Sequence, residues 1–414
     1  MGTITEEIFS KKLGKDIVKN ELCLVDVDAI MSHDTTTPLA IEAFEKINKA
    51  LFDKDKVVIC FDHILPAANI VAATLQKRIR EFIKKNNIKN FFQEGICHQV
   101  MIEKGFVMPG KIIIGADSHT CTYGALGAFA TGMGSTDIAV SYATGKTWFL
   151  VPPTYNLNVN GKLQKGVYSK DLMLFIAKTV GAGGATYKAV EFNGSTIENF
   201  GISERLTLSN MAIETGAKAG LIKADEKTIN FLKSITNEKI ETIEPKNPDY
   251  DKEFDFDASN IEPQIAKPPR VDNVADISSV KGIKIDEIFI GTCTNGRLDD
   301  LRIAALILKD KKVNQDTKVI VTPASNKVYE EASNLGLIKI FMDAGCIVTN
   351  PGCGVCIGRH GGVLAPGEKA LTTMNRNFIG RMGSPEAEIF LGSPATCATS
   401  ALKGEITDPR EFIK

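Results

Sequence analysis

The chain has 414 residues, of which 43% are hydrophobic and 24% charged, and its formal net charge is −1. That is the length of two or three domains with ordinary globular composition. A near-neutral chain without a long basic run offers nucleic acid no general attraction, no stretch is apolar for the length of a bilayer, and the N-terminus carries early acids where a secretory signal would be apolar.

Taken in chain order, the first chemistry-bearing pair is His33-Asp34, in a polar turn-like context. Residues 57–61 form an apolar, β-branched run that predicts a buried strand, and Asp62-His63 follow it directly. A helical pattern covers 73–85. Gly95-Ile96-Cys97-His98 comes next, then a second predicted strand at 112–115 that leads into Asp117-Ser118-His119. The glycine-dense run 124–134 lacks the lysine and serine of a phosphate-binding loop, so close backbone packing explains it better than nucleotide binding. Gly181-Ala182-Gly183-Gly184 is similar. It precedes an apolar run ending in Glu191, which position alone leaves either an edge carboxylate or a histidine partner.

Residues 234–282 carry many acids and five prolines and read as a solvated connection between domains. Beyond it, strands are predicted at 288–290 and 319–321, with a helix at 298–309. Strand–helix alternation predicts α/β architecture with largely parallel sheets, whose ligand sites gather at the C-terminal ends of strands. Asp62-His63, Asp117-Ser118-His119 and Cys293 all stand at such ends. A single histidine is more often structural than catalytic, but the chain has only five, and their repeated placement at strand ends points to acid/base work.

Nine cysteines, an odd count in a long chain, favour reduced thiols in the cytoplasm over a disulfide framework. Three of them sit in glycine-rich turns: Cys293 in Gly291-Thr292-Cys293-Thr294-Asn295-Gly296, and Cys353 and Cys356 in Pro351-Gly352-Cys353-Gly354-Val355-Cys356. A zinc site would want a second C-x-x-C or a histidine pair. A closed iron–sulfur cube takes four thiolates, so three point to a cube with one iron lacking a protein ligand, an open Lewis acid. Cys23, Cys60, Cys346 and Cys397 read as buried filler, while Cys97 and Cys121 lie beside the suspected histidines and are left open as pocket lining. In Asn375-Arg376-Asn377-Phe378-Ile379-Gly380-Arg381, two arginines among apolar and amide residues suit carboxylate binding at least as well as solvation.

Together these segments resemble the aconitase superfamily, in particular the separate large subunits of its 3-isopropylmalate dehydratase and homoaconitase branch. The resemblance is carried by His33-Asp34-Thr35-Thr36, Phe61-Asp62-His63, Gly95-Ile96-Cys97-His98-Gln99, Gly115-Ala116-Asp117-Ser118-His119-Thr120-Cys121-Thr122, the three cysteines and Asn375 to Arg381, in the expected order. It implies three α/β/α domains around one [4Fe–4S] cluster held by Cys293, Cys353 and Cys356. Residues 1–282 would be the first two domains, with 234–282 as connection, and 283–414 the third.

It further implies that His63, held by Asp62, protonates a leaving hydroxyl, that Asp117 and His119 order an iron-bound water, and that His98 pairs with Glu191. Arg376 and Arg381 would hold carboxylates of a small 2-hydroxy di- or tricarboxylate, Asn375 and Ser118 would add hydrogen bonds, and His33 and Thr36 would lie on the substrate side. The swivelling domain that carries the base in single-chain relatives is missing, so a separate small subunit is expected to supply it, in a heterodimer or heterotetramer. No membrane or nucleic-acid partner is expected. The reaction implied is dehydration and rehydration of 2-isopropylmalate in leucine biosynthesis, with homoaconitase and 2,3-dimethylmalate dehydratase as rivals. A non-catalytic iron–sulfur or RNA-binding protein is the distant alternative. Val355 stands where related chains commonly have proline, and Arg359-His360 is more basic than the family pattern.

Overall fold

The computed structural model describes residues 2–413. The chain divides into two units, one holding the residues through Gln93 with Cys97–Val159 and Ala185–Phe256, the other holding Glu94–Ile96, Asn160–Gly184 and everything from Asp257 on.

The first unit is built on a five-stranded, all-parallel sheet. Ala29–His33 is central, with Val57–Cys60 and then Phe91–Phe92 on one side, and Ile112–Gly115 and then Phe129–Gly132 on the other. Every residue of Val57–Cys60 and of Ile112–Gly115 is buried. Strands covered by helices on both faces have no polar side to alternate with, hence the continuous Val-Val-Ile and Ile-Ile-Ile runs. The helices Thr37–Ile47, Ile70–Asn86 and Ser135–Thr144 stand among its connections, and Phe44, Ile79, Phe82 and Tyr142 pack into the core. A four-stranded sheet and the antiparallel ribbon Leu22–Asp26 with Lys146–Leu150 complete the unit.

The second unit repeats the winding in a seven-stranded sheet. Glu287–Ile290 is flanked by Lys318–Val321 and Ile347–Val348 on one side, and by Lys369–Thr372 and Glu388–Leu391 on the other, all parallel. Helices Leu298–Leu308 and Pro394–Lys403 pack on it through Leu301, Ala304, Ala305, Ala398 and Ala401. In the five parallel strands of each sheet the chain starts at an inner strand, winds outward one way, returns and winds the other. Each therefore has a crevice between its first strand and its neighbour from the second half, where ligands settle in such folds.

The segment 234–282 is not all connection. Lys252–Asp257 is a mostly exposed strand, and Gln264–Ala266 pairs antiparallel with Val274–Asp276 and extends the seven-stranded sheet through Ala266 and Leu391. Residues 257–282 thus belong to the second unit, together with 94–96 and 160–184. The glycine run is explained by packing: a side chain at Gly124 would sit 1.9 Å from the carbonyl oxygen of Gly220. Among the described residues, no helix is long and apolar enough to cross a membrane.

Candidate active site

Strand ends of the first sheet deliver the histidines. His33 is the last residue of the central strand, Asp62-His63 follow Val57–Cys60, and Asp117 follows Ile112–Gly115. Asp34 shapes this end of the sheet. One of its oxygens accepts from the backbone N–H groups of Asp62 (3.3 Å) and His63 (2.9 Å), the other from Ile64 (2.8 Å), so it folds the loop that presents His63.

Asp117 is the hub. Its Oδ1 accepts from His98 Nε2 at 2.8 Å and from the backbone N–H of His119 at 2.7 Å, and its Oδ2 lies 3.5 Å from His33 Nε2 and 3.6 Å from His63 Nε2. The His33 and His63 rings stack with centroids 3.7 Å apart. Burial opposes ionisation of Asp117, yet His98, with His119, His33 and His63, holds its carboxyl well below the usual range. His98 Nδ1 meets the Tyr123 hydroxyl at 3.1 Å. An ionised Asp117 needs a donor, so His98 carries its proton on Nε2 and accepts from Tyr123 at Nδ1.

His63 Nδ1 bonds Asp62 Oδ1 at 2.7 Å, and Asp62 Oδ2 accepts from the backbone N–H of Cys97 at 2.7 Å. Burial alone would lower the His63 pKa, but Asp62 and Asp117 outweigh it and hold the imidazole well above its ordinary value. For Asp62, burial is likewise outweighed, chiefly by His63, and its pKa falls to about 2. The pair is an imidazolium held by a carboxylate, with Nε2 3.6 Å from Asp117 Oδ2, an arrangement chemically suited to donating a proton. Thr36 packs its hydroxyl on the backbone N–H of His33 at 3.3 Å.

One pairing differs from expectation. Glu191 lies mid-strand in Ala189–Asn193 and does not meet His98. Its oxygens accept from the backbone N–H of Ile4 at 2.7 Å and from the Tyr250 hydroxyl at 2.9 Å. A further carboxylate beside a candidate histidine is Glu214, whose Oε1 lies 2.9 Å from His119 Nε2. It sits in the short turn Ala212–Thr215, and its sequence surroundings carry no mark of that role. Burial raises the Glu191 pKa to about 7 against an ordinary 4.5. Since the folded value is raised, the stability linked to this group is fully present below about pH 4.5 and is lost as pH rises through about 7, a loss of about 2–4 kcal/mol. Glu191→Gln cannot ionise. Its melting temperature is therefore expected to gain on the parent from about pH 5 to about pH 8, whereas parallel profiles would contradict the assignment.

The second unit positions the thiols. Cys293 follows Glu287–Ile290, Cys353 follows Ile347–Val348, and Asn375 follows Lys369–Thr372. Cys293, Cys353 and Cys356 are all buried, and Ile96 and Ala324 pack against the first two. Asn375 Nδ2 lies 3.6 Å from Cys293 Sγ, and Arg381 Nη2 lies 3.5 Å from Cys356 Sγ. Arg297 donates to the carbonyls of Cys293 (2.7 Å) and Thr294. Thr292, next to Cys293, has φ 79° and is the one β-branched residue with positive φ among the described residues. Such a conformation costs about 1–3 kcal/mol and gathers at functional sites. Arg376 is partly buried on the same loop as Arg381.

The remaining thiols behave as filler. All nine cysteines are buried and outside disulfides. Burial pushes Cys346 up to about 12, and Cys97 lies in the apolar core of the first unit. The Cys121 thiol donates to the Asn210 carbonyl at 3.4 Å. Val355 packs toward Gly361 and Gly362.

The donor set suits an iron–sulfur cube. Among the described residues, the three thiols do not converge within 4.8 Å as ligands of a single ion would. A cube spreads its thiolates wider, and the amide and guanidinium donors on two sulfurs suit anionic ligands.

The model of the Aconitase family (aconitate hydratase) matches residues 6–282 and 275–404. The chain is 49% identical over 413 residues to a probable 3-isopropylmalate dehydratase large subunit of Methanothermobacter thermautotrophicus, covering 98% of each chain. It is 50% identical to 3-isopropylmalate dehydratase large subunit 1 of Thermotoga maritima, with 99% of each covered. It is 52% identical to a probable methanogen homoaconitase large subunit of Methanosarcina mazei, with 94% of this chain and all 100% of the other covered. Among solved structures, the holo-form of Thermococcus kodakaraensis aconitase X shares the fold, with TM-score 0.51, 13% identity, and 93% and 92% of the two chains covered.

Proposed function

Because the chain belongs to the aconitase family, we propose that it is the large subunit of a 3-isopropylmalate dehydratase, an iron–sulfur hydro-lyase that works with a small subunit. The observation that carries the reading is the Asp117 hub, one ionised carboxylate shared by four imidazoles, with His63 held as an acid by Asp62.

In the forward sense, 2-isopropylmalate loses its hydroxyl, which takes a proton from the enzyme and departs as water, while the adjacent carbon gives its proton to a base, leaving isopropylmaleate. Water then returns with the hydroxyl on the other carbon. Hydroxide is a poor leaving group, and His63 supplies the proton that makes it water. Asp117, with His119 and its partner Glu214, orients the departing and returning water. Arg376 and Arg381 fork onto substrate carboxylates. Cys293, Cys353 and Cys356 would hold a [4Fe–4S] cluster with one iron open, which supplies Lewis-acid polarisation of the hydroxyl when bound. The base that removes the carbon-bound proton comes from the small subunit. We place the protein in the cytoplasm, in keeping with nine reduced thiols.

Homoaconitase is the second reading, favoured by the 52% identity to such a large subunit. The acid/base set serves either substrate, and the group on the third carbon faces the small subunit. The test is hydration of isopropylmaleate, cis-homoaconitate and dimethylmaleate by the reconstituted pair, followed by loss of enoate absorbance. Preference for isopropylmaleate, with no turnover by this chain alone, is the expected result. Preference for cis-homoaconitate or dimethylmaleate would overturn the substrate. Turnover by the large chain alone would overturn the shared site.

A further inference from the structure

Beside the hub, within the first unit, lies a cavity of about 270 Å³ whose wall includes Ala116, Asp117, Ser118, Gly132, Ile213 and Lys218. Its lining is mixed: Asp117, already engaged by histidines, Ser118, small apolar residues and the side chain of Lys218. Lys218 is the unusual member. It is half-buried, and its Nζ stands 5.6 Å from the centre of the Tyr187 ring. Among the described residues, no carboxylate lies within ion-pair distance of it, and Asp137 acts only from farther away.

The position of Lys218 is held from both sides. Four residues upstream, Glu214 is fixed on His119. Between them, Gly216 at φ 89° turns the chain hard against Thr186, a turn in which a side chain would be strained. The Lys218 backbone N–H then donates to the Lys188 carbonyl at 2.7 Å and opens the strand Ala219–Leu221. One short segment therefore delivers Glu214 to the acid/base histidines and Lys218 to the cavity beside them. A partly desolvated ammonium with no fixed counter-charge is disfavoured by itself and is stabilised by any anion that enters. The cavity is sized for a small organic acid and has Ser118 on its wall to add a hydrogen bond.

We propose that Lys218 binds one carboxylate of the substrate and so strengthens the hold of this site on small organic acids. The assignment rests on the dehydratase reading and adds to it a residue that sequence alone did not single out. Its role is recognition. It contributes no proton to the chemistry, so its loss weakens binding and leaves turnover at saturation nearly intact.

The test uses the enzyme assembled with its small subunit and loaded with iron, comparing Lys218→Met, which keeps the stem, and Lys218→Arg, which keeps the charge. Lys218→Met is expected to raise KM for the enoate diacid about 10- to 100-fold, the worth of one charge-assisted hydrogen bond, with kcat within about threefold. Lys218→Arg should recover most of the loss. A second readout does not depend on activity: the rise in melting temperature as 2-isopropylmalate is titrated in, which should need correspondingly more ligand in Lys218→Met. Unchanged KM and an unchanged titration in Lys218→Met would overturn the proposal. If the parent enzyme turned over no diacid, the dehydratase reading would fail, and the titration would still decide whether Lys218 takes a carboxylate.

Discussion

Cys356→Ser is expected to lose the cluster. Protein reconstituted without oxygen should hold about four irons per chain in the parent and well under one in the variant, with no hydratase activity after pairing with the small subunit. The expectation comes from geometry. Cys356 is buried, and the Arg381 guanidinium stands 3.5 Å from its sulfur, an arrangement that suits a thiolate and serves a serine hydroxyl poorly. A cube on three thiolates has none to spare. Cys346→Ala is the matched control. Cys346 is buried too, but in the hydrophobic core, where burial pushes its thiol up to about 12 and leaves it inert. It should keep the parent's iron. A fully loaded Cys356→Ser, or iron lost equally from Cys346→Ala, would remove the ligand assignment.

The second large effect is at His63. Replacing it with glutamine should lower kcat about 10²- to 10⁴-fold, the usual worth of a positioned general acid, with KM changing far less. Asp62→Asn supplies the mechanistic check. Asp62 is the foremost group holding the His63 pKa up against burial, so its neutralisation lets that pKa fall. The acid form is needed, so activity declines as pH rises past the His63 pKa, and the alkaline limb should move to lower pH in Asp62→Asn. Stability has the same sign. A folded value above about 6.5 means that the contribution of protonated His63 is complete below that pH and is lost as pH rises through the folded value. An alkaline limb that stayed in place would give the acid role to another group.

Much of this was legible in the sequence because of how parallel sheets are buried. Val57–Cys60 and Ile112–Gly115 are covered on both faces, so they stand out as unbroken apolar runs, and the residues that follow them are the ones a doubly wound sheet gathers at its crevice. The three thiols were visible through their glycine-rich turns. The missed features are those made by tertiary approach. Glu214 reaches His119 from 95 residues away, and nothing in its own neighbourhood marks it. Glu191 drew notice as an acid closing an apolar run, but burial among Ile4 and Tyr250 explains it. The acids of Lys252–Asp257 masked a strand whose alternation, with Phe256 inward, was present in the residues. Asp34 was seen, yet its work on the backbone of residues 62–64 is a property of the folded loop.

The proposal that Cys293, Cys353 and Cys356 leave one iron of a cluster free to meet substrate has a direct test: the electron paramagnetic resonance spectrum of the reduced, cluster-loaded enzyme, recorded with and without saturating 2-isopropylmalate. The account predicts a clear displacement of the signal on adding substrate, because an open iron gains an oxygen ligand. Identical spectra from an enzyme that still turns the substrate over would contradict it.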